Sequence, residues 1–144
     1  MIMNPEDKRK LALVYAFSFV GTFYKWGGDD PSGFDCSGYI IEILKSVGIL
    51  PRRFDTTANG LYRKFQNNKL DKPKPGALIF WPKTSKPNEA GHIELAIDAW
   101  HTLGASGGGS KTLTEADAIR DNAYIKMRPI KRNRNVLAIL EPFI

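Results

Sequence analysis

Between Gln66 and Ala77 the apolar residues of this chain change their period, and that change limits the folds open to it. Before it they recur at helical spacing; after it they form short runs or alternate. Asn4-Pro5-Glu6-Asp7 reads as an N-cap, a proline at the first helical position and acids in the first turn, which predicts a helix over about 5–23. A second helix is expected over 36–47, stopped by Gly48, and a third from a Thr56 or Thr57 cap to about Gln66. Pro73, Pro75 and Gly76 then break the chain. Ala77-Leu78-Ile79-Phe80-Trp81, ended by Pro82, reads as a buried strand, residues 92–98 alternate, and further strands are expected over 102–106, 123–128 and 136–140. Helices first and strands afterwards predict an α+β fold, with N-terminal helices packed on an antiparallel β-sheet rather than a doubly wound parallel one. At 144 residues and 42% apolar, without an internal repeat, the chain suits one domain over 1–144.

The expected second helix opens on the only cysteine, within Phe34-Asp35-Cys36-Ser37-Gly38-Tyr39. Free N–H groups and the positive end of the helix dipole favour an anion there, so a thiol at that position should ionise readily. Ser37 and Gly38 are small enough to leave the sulfur open to approach. A lone cysteine is also often an inert buried hydrophobe, and placement by itself leaves both readings standing. One cysteine permits no internal disulfide and no cysteine-rich metal site. Asp29 and Asp30 sit in a turn-rich loop without the further acids of a calcium loop and read as solvated turn residues. Tyr24 and Trp26, beside that loop, either wall a cleft or simply pack.

A net charge of +6 and a pI near 9.5 favour an anionic partner: nucleic acid, a lipid surface, or an acidic polymer such as the bacterial wall. The lysines are scattered and no basic block is interleaved with aromatics, which argues against specific nucleic-acid binding. Residues 8–20 run from charged to apolar as a secretory signal does, but acids precede the basic residues and no small-x-small cleavage site follows. The apolar part is also far short of a membrane span. The expectation is therefore no cleavable signal and no membrane insertion, hence a cytoplasmic protein until lysis, or one delivered with a phage particle.

In residues 92–98 the alternation puts His92, Glu94, Ala96 and Asp98 on one face of a strand and Ile93, Leu95 and Ile97 on the other. A single strand histidine is ordinarily a surface or hydrogen-bonded residue. With two histidines in the chain, a Cys–His couple has to use His92 or His101, and His101 follows Trp100 at what reads as a hairpin turn. That makes it the poorer candidate.

Tyr24-x-Trp26-Gly27-Gly28, Asp35-Cys36-Ser37-Gly38 opening a helix, Pro75-Gly76-x-Leu78-Ile79-Phe80-Trp81, and Gly91-His92-Ile93 about fifty-five residues past the cysteine resemble the NlpC-type cell-wall cysteine peptidases in order and spacing. The resemblance covers nearly the whole chain. It implies a papain-like fold, no metal or organic cofactor, and hydrolysis of amide bonds in peptidoglycan stem peptides, typically between γ-linked D-Glu and a diamino acid. By the same resemblance Cys36 is the nucleophile and His92 its base, while Tyr24, Asp35 and Ser37 contact substrate; a helix cap is an equally good reading of Asp35. Two departures stand out. Where the family commonly has a third polar residue, often His, this chain has Gly104-Ala105-Ser106, so Glu94 is the expected partner of His92, with Ser106, His101 or a backbone carbonyl as alternatives. Ala77 replaces the usual Asp after Pro-Gly, without expected catalytic consequence. The missing signal and wall-binding repeat suggest a phage or prophage wall hydrolase, with peptidoglycan peptides and phage-tail or other virion components as expected partners. An amidase or acyltransferase on another substrate, and a decayed wall-binding module, are the alternatives.

Overall fold

The computed structural model describes residues 2–30, 32–130 and 135–144. Helix α1 spans Pro5–Phe17, with the Asn4 side chain accepting from the Asp7 N–H at 2.9 Å. It ends earlier than expected. Ser18, Phe19 and Val20 bond three residues back, Gly21 turns the chain at a φ of 93°, and the Gly21 N–H donates to Ile125 O. The apolar run continues past Phe17, but the edge of the sheet takes its last residues. Helix α1 buries Ala12, Ala16 and Arg9 and packs Leu13 and Tyr15 half-buried against the core, leaving Leu11, Val14 and Phe17 exposed.

The turn-rich loop contains a two-stranded ribbon, β1 (Asp29–Asp30) and β2 (Gly33–Phe34), that leads into helix α2 (Cys36–Ser46). Asp29 and Asp30 are exposed, as expected, but they form β1 rather than the turn, to which Asp30 contributes by accepting from the Ser32 N–H at 2.8 Å. Helix α2 starts at Cys36 because Asp35 caps it, and Gly48, at a φ of 77°, turns the chain away just past its end. Its apolar side is fully committed: Tyr39, Ile40, Ile43 and Leu44 have no exposure. Helix α3 (Ala58–Phe65) is capped by Thr57 and packs Leu61 and Phe65 into the same core.

Among the described residues five strands follow, all antiparallel: β3 (Leu78–Pro82), β4 (Ala90–Ala96), β5 (His101–Ser106), β6 (Tyr124–Pro129) and β7 (Ala138–Leu140), in the order β6-β5-β4-β3-β7. Helices α2 and α3 lie against β4 and β5 or β4 and β7, which gives the α+β arrangement expected. One helix was not foreseen: α4 (Glu115–Asp121), between β5 and β6, closed by a Thr114–Asp117 capping box and by Asn122 at a φ of 52°. Strand β4 is also more buried than a half-solvated strand should be. Ile93 and Leu95 enter the main core, while Ala96 joins a second cluster with Ala77, Ile79 and Trp81 on the other side. Among the described residues no helix is long and apolar enough to cross a membrane.

Candidate active site

Helix α2 and strand β4 bring Cys36 and His92 to one cleft of about 350 Å³, which Tyr24, Trp26, Ser106 and Arg128 also line. Cys36 and His92 face this cleft closely enough for the cysteine to act on the proton affinity of the imidazole. The imidazole is held on its other side: Nε2 lies 2.6 Å from Glu94 Oε2, which leaves Nδ1 for the sulfur. Trp81, the partner of His92 across β3 and β4, lies against the ring with centroids 5.6 Å apart. Burial works against a charged imidazole, but the hydrogen bonds and charges of Cys36 and Glu94 outweigh it and raise the His92 pKa from 6.5 to about 9. A histidine that holds its proton through neutral pH can donate it.

Glu94 is 1% exposed, and such a carboxylate needs every partner it can get. The Thr102 hydroxyl donates to its second oxygen at 2.5 Å, so the side chain bridges β4 and β5. Its room comes from Gly104. A Cβ there would lie 2.4 Å from Glu94 Cγ, so the position at which the expected third residue is missing is the space the Glu94 side chain occupies. Thr102 and Gly104 were not read from the sequence as site residues; their signal was the alternation of β5 beside β4.

The remaining expected residues surround Cys36. Asp35 Oδ1 accepts from the Gly38 N–H at 2.8 Å and Oδ2 from the Gly27 N–H at 3.1 Å, so this carboxylate both caps α2 and ties down the preceding loop. Burial raises its pKa, against the pull of those N–H groups and of the Ser37 hydroxyl at 3.4 Å. Ser37 is nearly buried beside it. Tyr24 packs under the Gly108 backbone, where a Cβ would strike its ring, and burial, with the charges of Cys36 and Asp35, pushes its phenol well above the ordinary value. It remains a neutral hydroxyl.

The cleft extends past Cys36. A cavity of about 310 Å³ shares Tyr24, Trp26 and Cys36 and adds Asp35, Ser37 and Lys83; it adjoins another of about 280 Å³ lined by Asp29, Asp35 and Asp55. Two alternatives for the partner of His92 lie differently. His101 opens β5 just past the β4–β5 turn, its Nδ1 3.0 Å from Asp98 Oδ2, and Ser106 accepts from Arg128 Nη1 at 2.7 Å.

Comparison with known proteins agrees with this geometry. A sequence profile of the NlpC/P60 family matches residues 21–128. A protein of Listeria monocytogenes named probable endopeptidase p60 is 30% identical over 100 residues, covering 69% of this chain and 19% of the relative. A γ-D-glutamyl-L-lysine dipeptidyl-peptidase of Bacillus subtilis is 32% identical over 80 residues, 55% of this chain and 26% of the relative. The chain thus spans about a fifth to a quarter of the length of these curated relatives. In fold it is similar to a crystal structure of an NlpC/P60 family protein from Bacillus cereus, with a TM-score of 0.74 and 20% identity over 94% of this chain and 40% of that one.

Proposed function

The chain belongs to the NlpC/P60 family of cysteine peptidases, and from that premise we propose that it hydrolyses amide bonds in peptidoglycan stem peptides, with Cys36, His92 and Glu94 as its catalytic set. The observation that carries this reading is the buried Glu94 carboxylate 2.6 Å from the ring of a histidine that shares its cleft with the sulfur at a helix start. With the Cys36 proton already on the imidazole, the sulfur attacks the scissile carbonyl carbon as a thiolate. The Cys36 backbone N–H, which a helix start leaves without an intrahelical partner, stabilises the oxyanion. Protonated His92 then gives its proton to the departing amine, the C–N bond breaks, and a thioester remains on Cys36. A water deprotonated by His92 hydrolyses the thioester and regenerates the thiol. Glu94 is a positioning residue: it orients the ring and favours its imidazolium form.

On this reading Asp35 and Ser37 contact the acyl side of the substrate, in the cavity that His92 does not line, and Tyr24 contacts substrate beside Cys36, where it walls both cavities. The name of the Bacillus subtilis relative supports the bond between γ-linked D-Glu and a diamino acid as the scissile one. A phage or prophage setting is an origin that none of the names of the relatives above mentions, and the chemistry does not depend on it.

The test is digestion of purified sacculi with the wild type and with Cys36→Ala, followed by mass analysis of the soluble fragments. Peptides that begin with the diamino acid, together with glycan fragments whose stems end in D-Glu, are expected from the wild type only. Release by both proteins, or by neither, contradicts the assignment.

A further inference from the structure

The two ends of the groove differ in charge. Asp29, Asp35 and Asp55 line one end, and Arg128 on β6 lines the other. Lys83, between them, is already bonded to Glu89 at 2.8 Å. Arg128 is half-buried, and one of its nitrogens is fixed by Ser106 Oγ at 2.7 Å. No carboxylate bonds its guanidinium among the described residues, and the residues outside that set carry no side-chain carboxylate. A guanidinium steadied by a hydroxyl keeps further donors in a planar fork that matches a carboxylate.

The side of the reaction it serves follows from the proton. His92 lines the cavity of Arg128 and neither of the other two, and His92 is the group that protonates the departing amine. The departing fragment therefore occupies the arginine's cavity. In an α-amino acid leaving group a single carbon separates that nitrogen from the α-carboxylate, a spacing a cleft of about 350 Å³ accommodates.

Building on the peptidase reading above, we propose that Arg128 binds a free carboxylate on the departing residue, so that the cleft selects stem peptides ending at the residue after the scissile bond over peptides that continue as an amide. Ser106 positions the fork. Arg128 is a specificity residue and takes no part in proton transfer.

The test compares hydrolysis of the synthetic tripeptide L-Ala-γ-D-Glu-L-Lys and of its C-terminal carboxamide by the wild type, Arg128→Ala, Arg128→Gln and Arg128→Lys. The wild type should favour the acid by roughly ten- to a hundredfold in kcat/KM, as expected for one charge-assisted pair. Alanine and glutamine should erase that preference through KM, with kcat nearly held, and lysine should keep part of it. Equal rates on both peptides in the wild type, or a preference that survives in Arg128→Ala, overturn the subsite while leaving the peptidase reading intact. Failure of the wild type to cleave either peptide overturns both.

Discussion

Glu94 and Gly104 are one structural decision made at two positions. The carboxylate fills the volume that a side chain at Gly104 would take, and reaches His92 from the same strand instead of from the neighbouring one. Adding a Cβ at Gly104 should therefore act through Glu94: Gly104→Ala is expected to cost roughly 1–3 kcal/mol in chemical denaturation and to lower turnover. Glu94→Gln keeps the shape and removes the charge, so kcat on a stem peptide should fall by roughly ten- to a thousandfold. His101→Ala should leave the rate unchanged, because its partner Asp98 ties it into the hairpin turn. Loss of activity in that variant alone would return the role to His101.

Helix α2 is the element on which the site depends, and Asp35 sets where it begins. Two N–H donors, from Gly38 and Gly27, converge on that side chain. Asp35→Ala should cost about 1–2 kcal/mol in a thermal melt, whereas Asp35→Asn should keep most of the cap yet raise KM, separating support of the helix from contact with substrate. This helix was legible because its start, its apolar face and its glycine stop all lie within the segment itself. The boundaries that were misread depend on distant chain. Apolar residues run on past Phe17, but Gly21 and Tyr24 bond to Ile125 and Ala123, partners a hundred positions away. Helix α4 has one buried residue, Ala118, and so almost no apolar period; its sequence signal was the Thr114–Asp117 box. Cys36 and His92 could be read from motif and position. The room that Gly104 makes required the register of β4 and β5.

At the scale of the molecule, the first helix is joined to the last strand's exit by a buried ion pair, Arg9 to Glu141 at 2.9 Å, with Lys74 on the same oxygen and the Arg9 guanidinium over the Phe143 ring. Burial pushes the Glu141 carboxyl up, but its bonds to Arg9, Lys74 and the Phe143 N–H pull it further down, below the ordinary 4.5. A depressed carboxylate stabilises the fold above its unfolded pKa and loses that contribution as pH falls, so acid unfolding should begin below about pH 4.5. Arg9→Ala, which leaves Glu141 buried beside only an exposed lysine, should cost about 3–5 kcal/mol. The same reasoning with the opposite sign applies at the cleft. His92 keeps its proton until about pH 9, and above that the leaving amine has no donor. The pH dependence of kcat/KM on a stem peptide, measured for the wild type and Glu94→Gln, therefore tests the catalytic set most directly. The wild-type rate should fall through a limb near pH 9, and the variant's limb should move to lower pH. Superimposable limbs in the two proteins would mean that Glu94 does not act on His92.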